Sequence, residues 1–365
     1  MTLPKLSRGD DAMAVLHVDT GRAWGGGQNQ VRLLMRWLAD HGVGQLCLCP
    51  DGSPLERSLR TEGLPVRGVA WIAGGPRTFL RVFREVRDWD LVHCHDAHAL
   101  HLTQRAARLR GKPVVAARHS LLPPASSGWK RAAAVLAISA GVRQRLLAAG
   151  VDEARVHTVY SGVDPEELRR LEVPVPTLRE RIGLGSDVFL AGSVGTLVRT
   201  KNQVFLTQVA ARLRDTEWVV IGEGPERDAM RQAIVAHGIR GSFHLPGHLP
   251  DARRYLPELD VFVYAAAGEG LGTSLLDAMG RDVPVIAAAD AGPEEILAPV
   301  HASTGASLYP PGNADAAAAL VGRVRAEPEL RKAMVAAQRK RLPAFRAART
   351  AALTLGVYRS LLERE

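Results

Sequence analysis

Only three cysteines occur in 365 residues, Cys47, Cys49 and Cys94. A low, odd count excludes a disulfide-stapled scaffold and points to a reducing, cytoplasmic setting. Cys47-Leu-Cys49 lies in an apolar strand pattern, which suits small core residues better than a metal or redox pair. No run of some 18 uncharged apolar residues occurs, so no transmembrane helix is predicted. The stretch Met1 to Met13 carries charges and lacks the apolar centre of a signal peptide, so residues 1–12 are expected to be a flexible tail. Helix-turn-helix, zinc-finger and aromatic RNA-binding patterns are missing too. That argues against nucleic acid as a partner, although Lys+Arg number 47 against 38 Asp+Glu. The first strand is not followed by GxGxxG, which weakens a dehydrogenase reading.

What is present is a twice-run alternation of short apolar strands and amphipathic helices. Strands are predicted at 14–18, 45–49, 66–70, 90–94, 113–117, 134–138 and 156–160, with helices such as 28–41, 76–88 and 98–110 between them. The pattern restarts with strands at 188–194, 218–221, 242–245, 261–264 and 283–286. Such interleaving means parallel sheets covered on both faces. The length allows about two domains. Val173-Pro-Val-Pro-Thr177 reads as the linker, and Arg346–Leu362 as a last amphipathic helix. The expected domains are therefore 13–172, 173–345 and a terminal helical segment, 346–365. Charge is uneven: residues 1–170 hold 24 Lys+Arg and 16 Asp+Glu, the remainder 23 and 22. The basic half suits an anionic partner. Within it, Pro76–Trp89 spaces Arg77, Arg81, Arg84 and Arg87 along one face, beside Phe79, Leu80, Phe83 and Val86. A basic amphipathic helix is a membrane-surface signal, with a solvated helix packed on its sheet as the plainer alternative.

Ala265-Ala-Ala-Gly-Glu-Gly-Leu-Gly-Thr-Ser-Leu-Leu-Asp-Ala-Met-Gly280 carries the chemistry. It follows a buried strand, begins as a glycine loop and continues as a helix. This arrangement aims free backbone N–H groups and a positive dipole end at a phosphate. Glu269 and Asp277 stand eight positions apart, at most roughly 12 Å along a helix axis. The pair can hold hydroxyls at two ends of one ligand while the amides of Gly270, Leu271, Gly272 and Thr273 hold a diphosphate. A nucleotide sugar has that shape. Earlier in the chain, Trp24-Gly-Gly-Gly-Gln28 precedes a helix and allows close backbone approach. His119 follows the fifth strand. His93-Cys-His95 has a spacing compatible with a metal, but no further ligands cluster in sequence, so none is expected.

The 265–280 segment resembles the Glu, seven residues, Glu signature of retaining GT-B glycosyltransferases, of the family 4 or "glycosyl transferases group 1" type. Here the second acid is Asp. Gly192-Ser-Val-Gly-Thr-Leu-Val-Arg-Thr-Lys-Asn202 resembles the family's Gly-Arg-Leu, three residues, Lys-Gly. Lys201 matches, whereas Thr196 stands where the family has Arg, and Arg199 is a candidate replacement. Leu136-Ala-Ile-Ser139 and Val159-Tyr-Ser-Gly-Val-Asp164 resemble further family elements.

The resemblance implies an α/β protein of GT-B fold, with two facing Rossmann-like domains, a cleft between them and a C-terminal helix crossing back to the first. It implies a retaining transfer from a nucleotide-diphosphate sugar to a hydroxyl of a glycan or glycolipid acceptor, without a cofactor. In that reading Glu269 holds the sugar, Asp277 the ribose, and Lys201 the diphosphate. Gly26, Gly27 and His119 flank the donor phosphate and sugar, and the backbone near His248 and Leu249 meets the base. A sugar-nucleotide epimerase and a non-catalytic sugar-nucleotide binder remain alternatives.

Overall fold

A computed structural model describes residues 13–70, 76–122 and 127–363. The expected tail at 1–12 lies outside the described residues. The chain divides into two units: residues up to Gly162 joined by those from Ala347 onward, and Val163–Arg346.

The first unit is a seven-stranded sheet of β1 (Ala14–Val18), β2 (Gly44–Pro50), β3 (Val66–Val69), β4 (Leu91–Cys94), β5 (Val114–Arg118), β6 (Ala134–Ala137) and β7 (Val156–Thr158). Its order is β3-β2-β1-β4-β5-β6-β7 and its pairings are parallel. Both faces are covered, as the apolar strands require. One apolar cluster joins Val31, Met35, Cys47, Cys49, Leu55 and Leu59. The two cysteines thus serve as small core residues. Another joins Val15, Leu34, Leu38, Leu91 and Val115 to Ala351, Leu355 and Tyr358 of the last helix, Ala347–Leu362. That helix belongs to the first unit because its apolar stripe fills this face. Gly162 makes the approach possible: a Cβ there would stand 2.6 Å from the Cα of Ala347.

The second unit has β8 (Leu190–Val194), β9 (Glu217–Ile221), β10 (Phe243–Gly247), β11 (Val261–Tyr264), β12 (Val285–Ala288) and β13 (Leu308–Tyr309). The order is β10-β9-β8-β11-β12-β13, again parallel. Two residues of β13 are too few for periodicity to reveal. Trp218, Val220, Met230, Val263 and Ile286 lie in one large apolar cluster.

The units divide at Gly162, not at residue 172 as the proline-broken stretch suggested. The helix Pro165–Arg170 belongs to the second unit, because Leu168 packs on Gly280 and its carbonyl accepts from Arg281. Local chain-breaking residues do not report such packing.

Each sheet reverses strand order once, between β1 and β4 and between β8 and β11. Open parallel sheets bind ligands beyond the strand carboxyl ends at such a point, where adjacent loops diverge.

Candidate functional site

In the second unit the reversal brings together the loops after β8 and β11. The loop after β8 ends in a single 3₁₀ turn, Arg199–Lys201, closed by Asn202 with φ 49°. The loop after β11 leads into the helix Thr273–Gly280. Hydrogen bonds lace the two: Ala267 N–H donates to Thr200 O at 3.2 Å, and the Asn202 side-chain Nδ2 to Ala265 O at 3.3 Å. As a result Lys201 Nζ meets Glu269 Oε1 at 2.5 Å, with 23% and 18% of the two side chains exposed. Lys201 Nζ also lies 5.7 Å from the centroid of the Tyr264 ring, a cation–π distance. The pair is thus a half-sheltered ammonium and carboxylate that solvent and ligand can both reach.

Glu269 stands just ahead of a helix start. Gly272 is its N-cap, with φ 105°. A Cβ there would approach the Tyr264 hydroxyl to 3.1 Å, so glycine is required twice over. A glycine has no side chain to cap with, and the first amides of the helix keep their hydrogen-bonding capacity for an anion.

Neighbours that the sequence pattern did not single out hold this loop in place. The Gly268 N–H donates to the carboxylate of Asp290, at the start of the helix Ala291–Thr304. Gly292 in that helix lets it lie against Leu271, whose Cα a Cβ would meet at 2.4 Å. On the other side, Gly222 and Gly224 let the loop after β9 rest on Gly195 and Leu197. A Cβ at those positions would meet the two carbonyl oxygens at 2.0 and 2.4 Å. The available signal was positional, since Asp290 and Gly292 also follow a strand and open a helix.

Asp277 is the fifth residue of the helix, hence about 6 Å of rise from its start. That is half of the upper bound for an all-helical segment, because Glu269–Gly272 is loop. Asp277 lies in the field of Arg253. Arg253 grips Asp251 at 2.6 and 3.0 Å and Glu167 at 3.2 Å. Burial opposes its charge, but Asp251, Asp277 and Glu167 hold its pKa above the ordinary guanidinium value. Arg253 is therefore a further site neighbour that no motif pointed to. Thr196 and Arg199 are both exposed, and Arg199 forms no ion pair among the described residues. His248 is exposed and Leu249 buried, following β10 at the sheet edge, two strands away from β8.

In the first unit, Gly26 and Gly27 form the first turn of the helix Gly26–Asp40, with Gly25 as N-cap, and not a loop before it. A Cβ on Gly27 would meet no atom within 4 Å, so packing within the chain does not demand glycine there. What its absence of side chain provides is open space before the helix amides. Near them, Asp19 accepts from the Gly21 N–H at 2.9 Å and from Gln28 Nε2 at 3.3 Å. Burial, then the nearby Asp96 carboxylate, raises the Asp19 pKa to about 6.

His119 follows β5. Arg118, stacked 5.1 Å from the Trp129 ring, turns the chain there by donating to the Ser120 and Leu122 carbonyls. His119 Nε2 is buried without a hydrogen-bond partner. Burial lowers its pKa to about 4, so the ring is neutral near pH 7 and acts as a hydrogen-bonding group, not a cation. His93 of β4 and His95, just past its end, meet a third imidazole, His17 of β1, which sequence spacing did not connect to them.

In the helix Pro76–Val86, Val82 and Val86 are buried, and Phe79 and Phe83 stack at 5.9 Å. Arg110 covers Phe83 at 3.8 Å. Leu80, expected on the packed face, is 46% exposed, because it lies off the stripe that Val82 and Val86 define. Arg81, Arg84 and Arg87 are exposed as well. The side chain of Arg77 lies outside the described residues.

Residues 24–167 match the family model described as Glycosyltransferase Family 4, and residues 175–341 the one described as Glycosyl transferases group 1. A 2-deoxystreptamine glucosyltransferase of Streptomyces kanamyceticus is 30% identical over 246 residues, 65% of this chain and 60% of the relative. The lipopolysaccharide core biosynthesis glycosyltransferase LpsE of Rhizobium meliloti is 28% identical over 116 residues, 32% of this chain and 34% of the relative. The matches thus span less than two thirds of either relative. Among solved structures, Anabaena Alr3699/HepE in complex with UDP and glucose superposes with a TM-score of 0.84 at 19% identity, covering 95% of this chain and 100% of that one.

Proposed function

The chain belongs to the GT-B glycosyltransferases of the group 1 and family 4 type, and from that premise we propose that it moves a sugar from a nucleotide-diphosphate sugar to an acceptor hydroxyl with retention of configuration. The observation that carries the reading is the Lys201–Glu269 pair at an uncapped helix start. Glu269 accepts from sugar hydroxyls. Lys201 turns from Glu269 toward the diphosphate, joined by the amides of residues 270–273. Preorganised donors aimed at the departing phosphate stabilise the charge that develops there, usually the largest catalytic contribution. Asp277 takes the ribose, and residues near His248 and Leu249 the base. No side chain is assigned as nucleophile. The leaving phosphate takes the acceptor proton, and attack occurs on the same face. Gly26, Gly27 and His119 are ligand contacts in the first unit. No metal or cofactor takes part in these steps.

The acceptor is a polyhydroxylated glycan or glycolipid, as in cell-surface polysaccharide or lipopolysaccharide synthesis. The two relatives differ on this point, so both a lipopolysaccharide core oligosaccharide and 2-deoxystreptamine belong in the assay. UDP-, GDP-, ADP- and dTDP-sugars are screened first by thermal shift, since a ligand bound only by the native state raises stability. The best donor is then incubated with each acceptor. The expected result is an α-linked product from an α-linked donor, seen by NMR. Donor conversion to an epimer without acceptor, or binding with neither transfer nor slow hydrolysis, overturns the proposal.

Lys201→Ala is expected to weaken binding of the nucleoside diphosphate product and slow transfer. One lost charged hydrogen bond corresponds to roughly 1.5–3 kcal/mol, about tenfold to a hundredfold. Arg199→Ala has the same effect if Arg199 supplies the guanidinium missing at Thr196. Unchanged product affinity by calorimetry in Arg199→Ala rejects that substitution and leaves Lys201 untouched.

For the basic helix Pro76–Val86 we propose contact with an anionic membrane surface, supported by the exposed Leu80 beside Arg81, Arg84 and Arg87. Each arginine near such a leaflet contributes about 1 kcal/mol. Co-sedimentation with vesicles should require anionic lipid, fall with salt, and drop when Arg77, Arg81, Arg84 and Arg87 become Ser. No binding to anionic vesicles at low salt leaves a soluble acceptor. No helix among the described residues is long and apolar enough to cross a membrane.

A further inference from the structure

We propose that His17, His93 and His95 bind one late first-row divalent metal ion of the zinc class, at the strand-order reversal of the first sheet. The proposal is independent of the glycosyl-transfer reading. Register creates the cluster: His17 of β1 pairs with His93 of β4, and His95 lies two positions further along the same side. All three are buried, and their candidate ligand atoms lie within 4.8 Å of one another. His17 Nδ1 and His95 Nε2 are 3.0 Å apart. Two nitrogens bound tetrahedrally at roughly 2.0–2.1 Å from zinc stand about 3.3 Å apart, so a few tenths of an ångström separate the observed rings from a ligand pair.

An orphaned polar atom is the independent observation. His93 Nε2 is buried without a hydrogen-bond partner, and an unpaired buried nitrogen is costly. His93 Nδ1 is tied to the Tyr358 hydroxyl at 2.6 Å. If Nδ1 carries the proton and donates it to the phenol oxygen, the Nε2 lone pair is free to bind a metal. A ligating histidine is characteristically anchored in this way through its other nitrogen. Imidazole suits zinc, copper, nickel and cobalt, and does not suit magnesium or calcium. The ion would pin β1 to β4 and, through Tyr358, hold the last helix on the first unit.

The test uses the full chain. Protein purified without added metal is analysed by plasma mass spectrometry, then stripped with a chelator and titrated with Co²⁺ and with Zn²⁺. One equivalent of metal per chain is expected, with a visible tetrahedral Co²⁺ band that saturates at one equivalent. Zinc should raise the melting temperature by on the order of 5 °C at a hundredfold excess over the dissociation constant. His93→Gln and His95→Gln should lose the band and the shift, whereas His41→Gln, at an exposed position, keeps both. His95→Cys, which supplies a thiolate ligand, should restore the band with added charge-transfer intensity, and it decides the matter if the Gln variants fail to fold. Absence of the band and of any zinc-induced shift in the stripped wild type overturns the proposal, as does a band undiminished in folded His93→Gln.

Discussion

Glu269→Ala is expected to lower transfer by roughly a hundredfold to a thousandfold or more, the scale seen when one preorganised polar group at a reacting centre is removed. The reason lies in its placement. The carboxylate pairs with Lys201 at 2.5 Å until a ligand draws the ammonium away, and its loop is tied to Asp290 and seated on Gly292. It is therefore presented in one position without being needed by the core. Its ion pair is partly exposed, and removing such a pair costs about 1 kcal/mol or less. Initial rates with the preferred donor and acceptor, together with circular dichroism and melting curves, separate the two effects. Glu269→Gln keeps the shape and one acceptor oxygen while removing the charge, and should fall between alanine and wild type. A Glu269→Ala variant that transfers sugar at the wild-type rate places the sugar elsewhere.

Acidification should unfold the first unit before the second. Burial depresses the pKa of His17 to about 3 and of His119 to about 4, and holds His93 and His95 well below the usual histidine value of 6.5. The unfolded chain therefore takes up protons below pH 6.5 that the folded chain refuses. Stability falls from there toward the folded pKa values. Asp19 acts in the opposite sense. Its folded pKa is raised to about 6, so its contribution is complete below the unfolded carboxylate value and is lost as pH rises through 6. One such group offsets only part of four histidines. At up to about 1.4 kcal/mol per group and pH unit, the net loss between pH 7.5 and pH 5 is on the order of 5 kcal/mol. Hydrogen exchange of chelator-treated protein provides the measurement: β1 and β4 should lose protection near pH 5 while β8, β9 and β11 retain it. Uniform protection across both units over that range contradicts the prediction.

The alternation of strands and helices was legible because each strand is apolar on both faces and each helix carries its own stripe, as β1 and the helix Gly26–Asp40 show. Strand, glycine loop and helix at 261–280 could be read in the same way, since Gly272 and the acids flanking it are local features. So could Lys201, through its place after a strand. None of these readings contained a distance between separate segments. Glu269 and Lys201 are 68 positions apart, and only the β8–β11 reversal puts them in contact. Arg253 beside Asp277, Asp290 on Gly268 and Gly292 under Leu271 have no local signature, because each is defined by what it touches across the fold. The same holds for His17, which periodicity places in a strand but only register sets beside His93. The boundary at Gly162 was misread because prolines mark where a chain bends, whereas a unit ends where packing ends, and Leu168 packs on Gly280. By itself the sequence determined the elements, their layering and the residue types available for chemistry, because backbone propensity and hydrophobic period act over a few residues. Which of those residues meet was decided by strand order and register, which bring together side chains from distant parts of the chain.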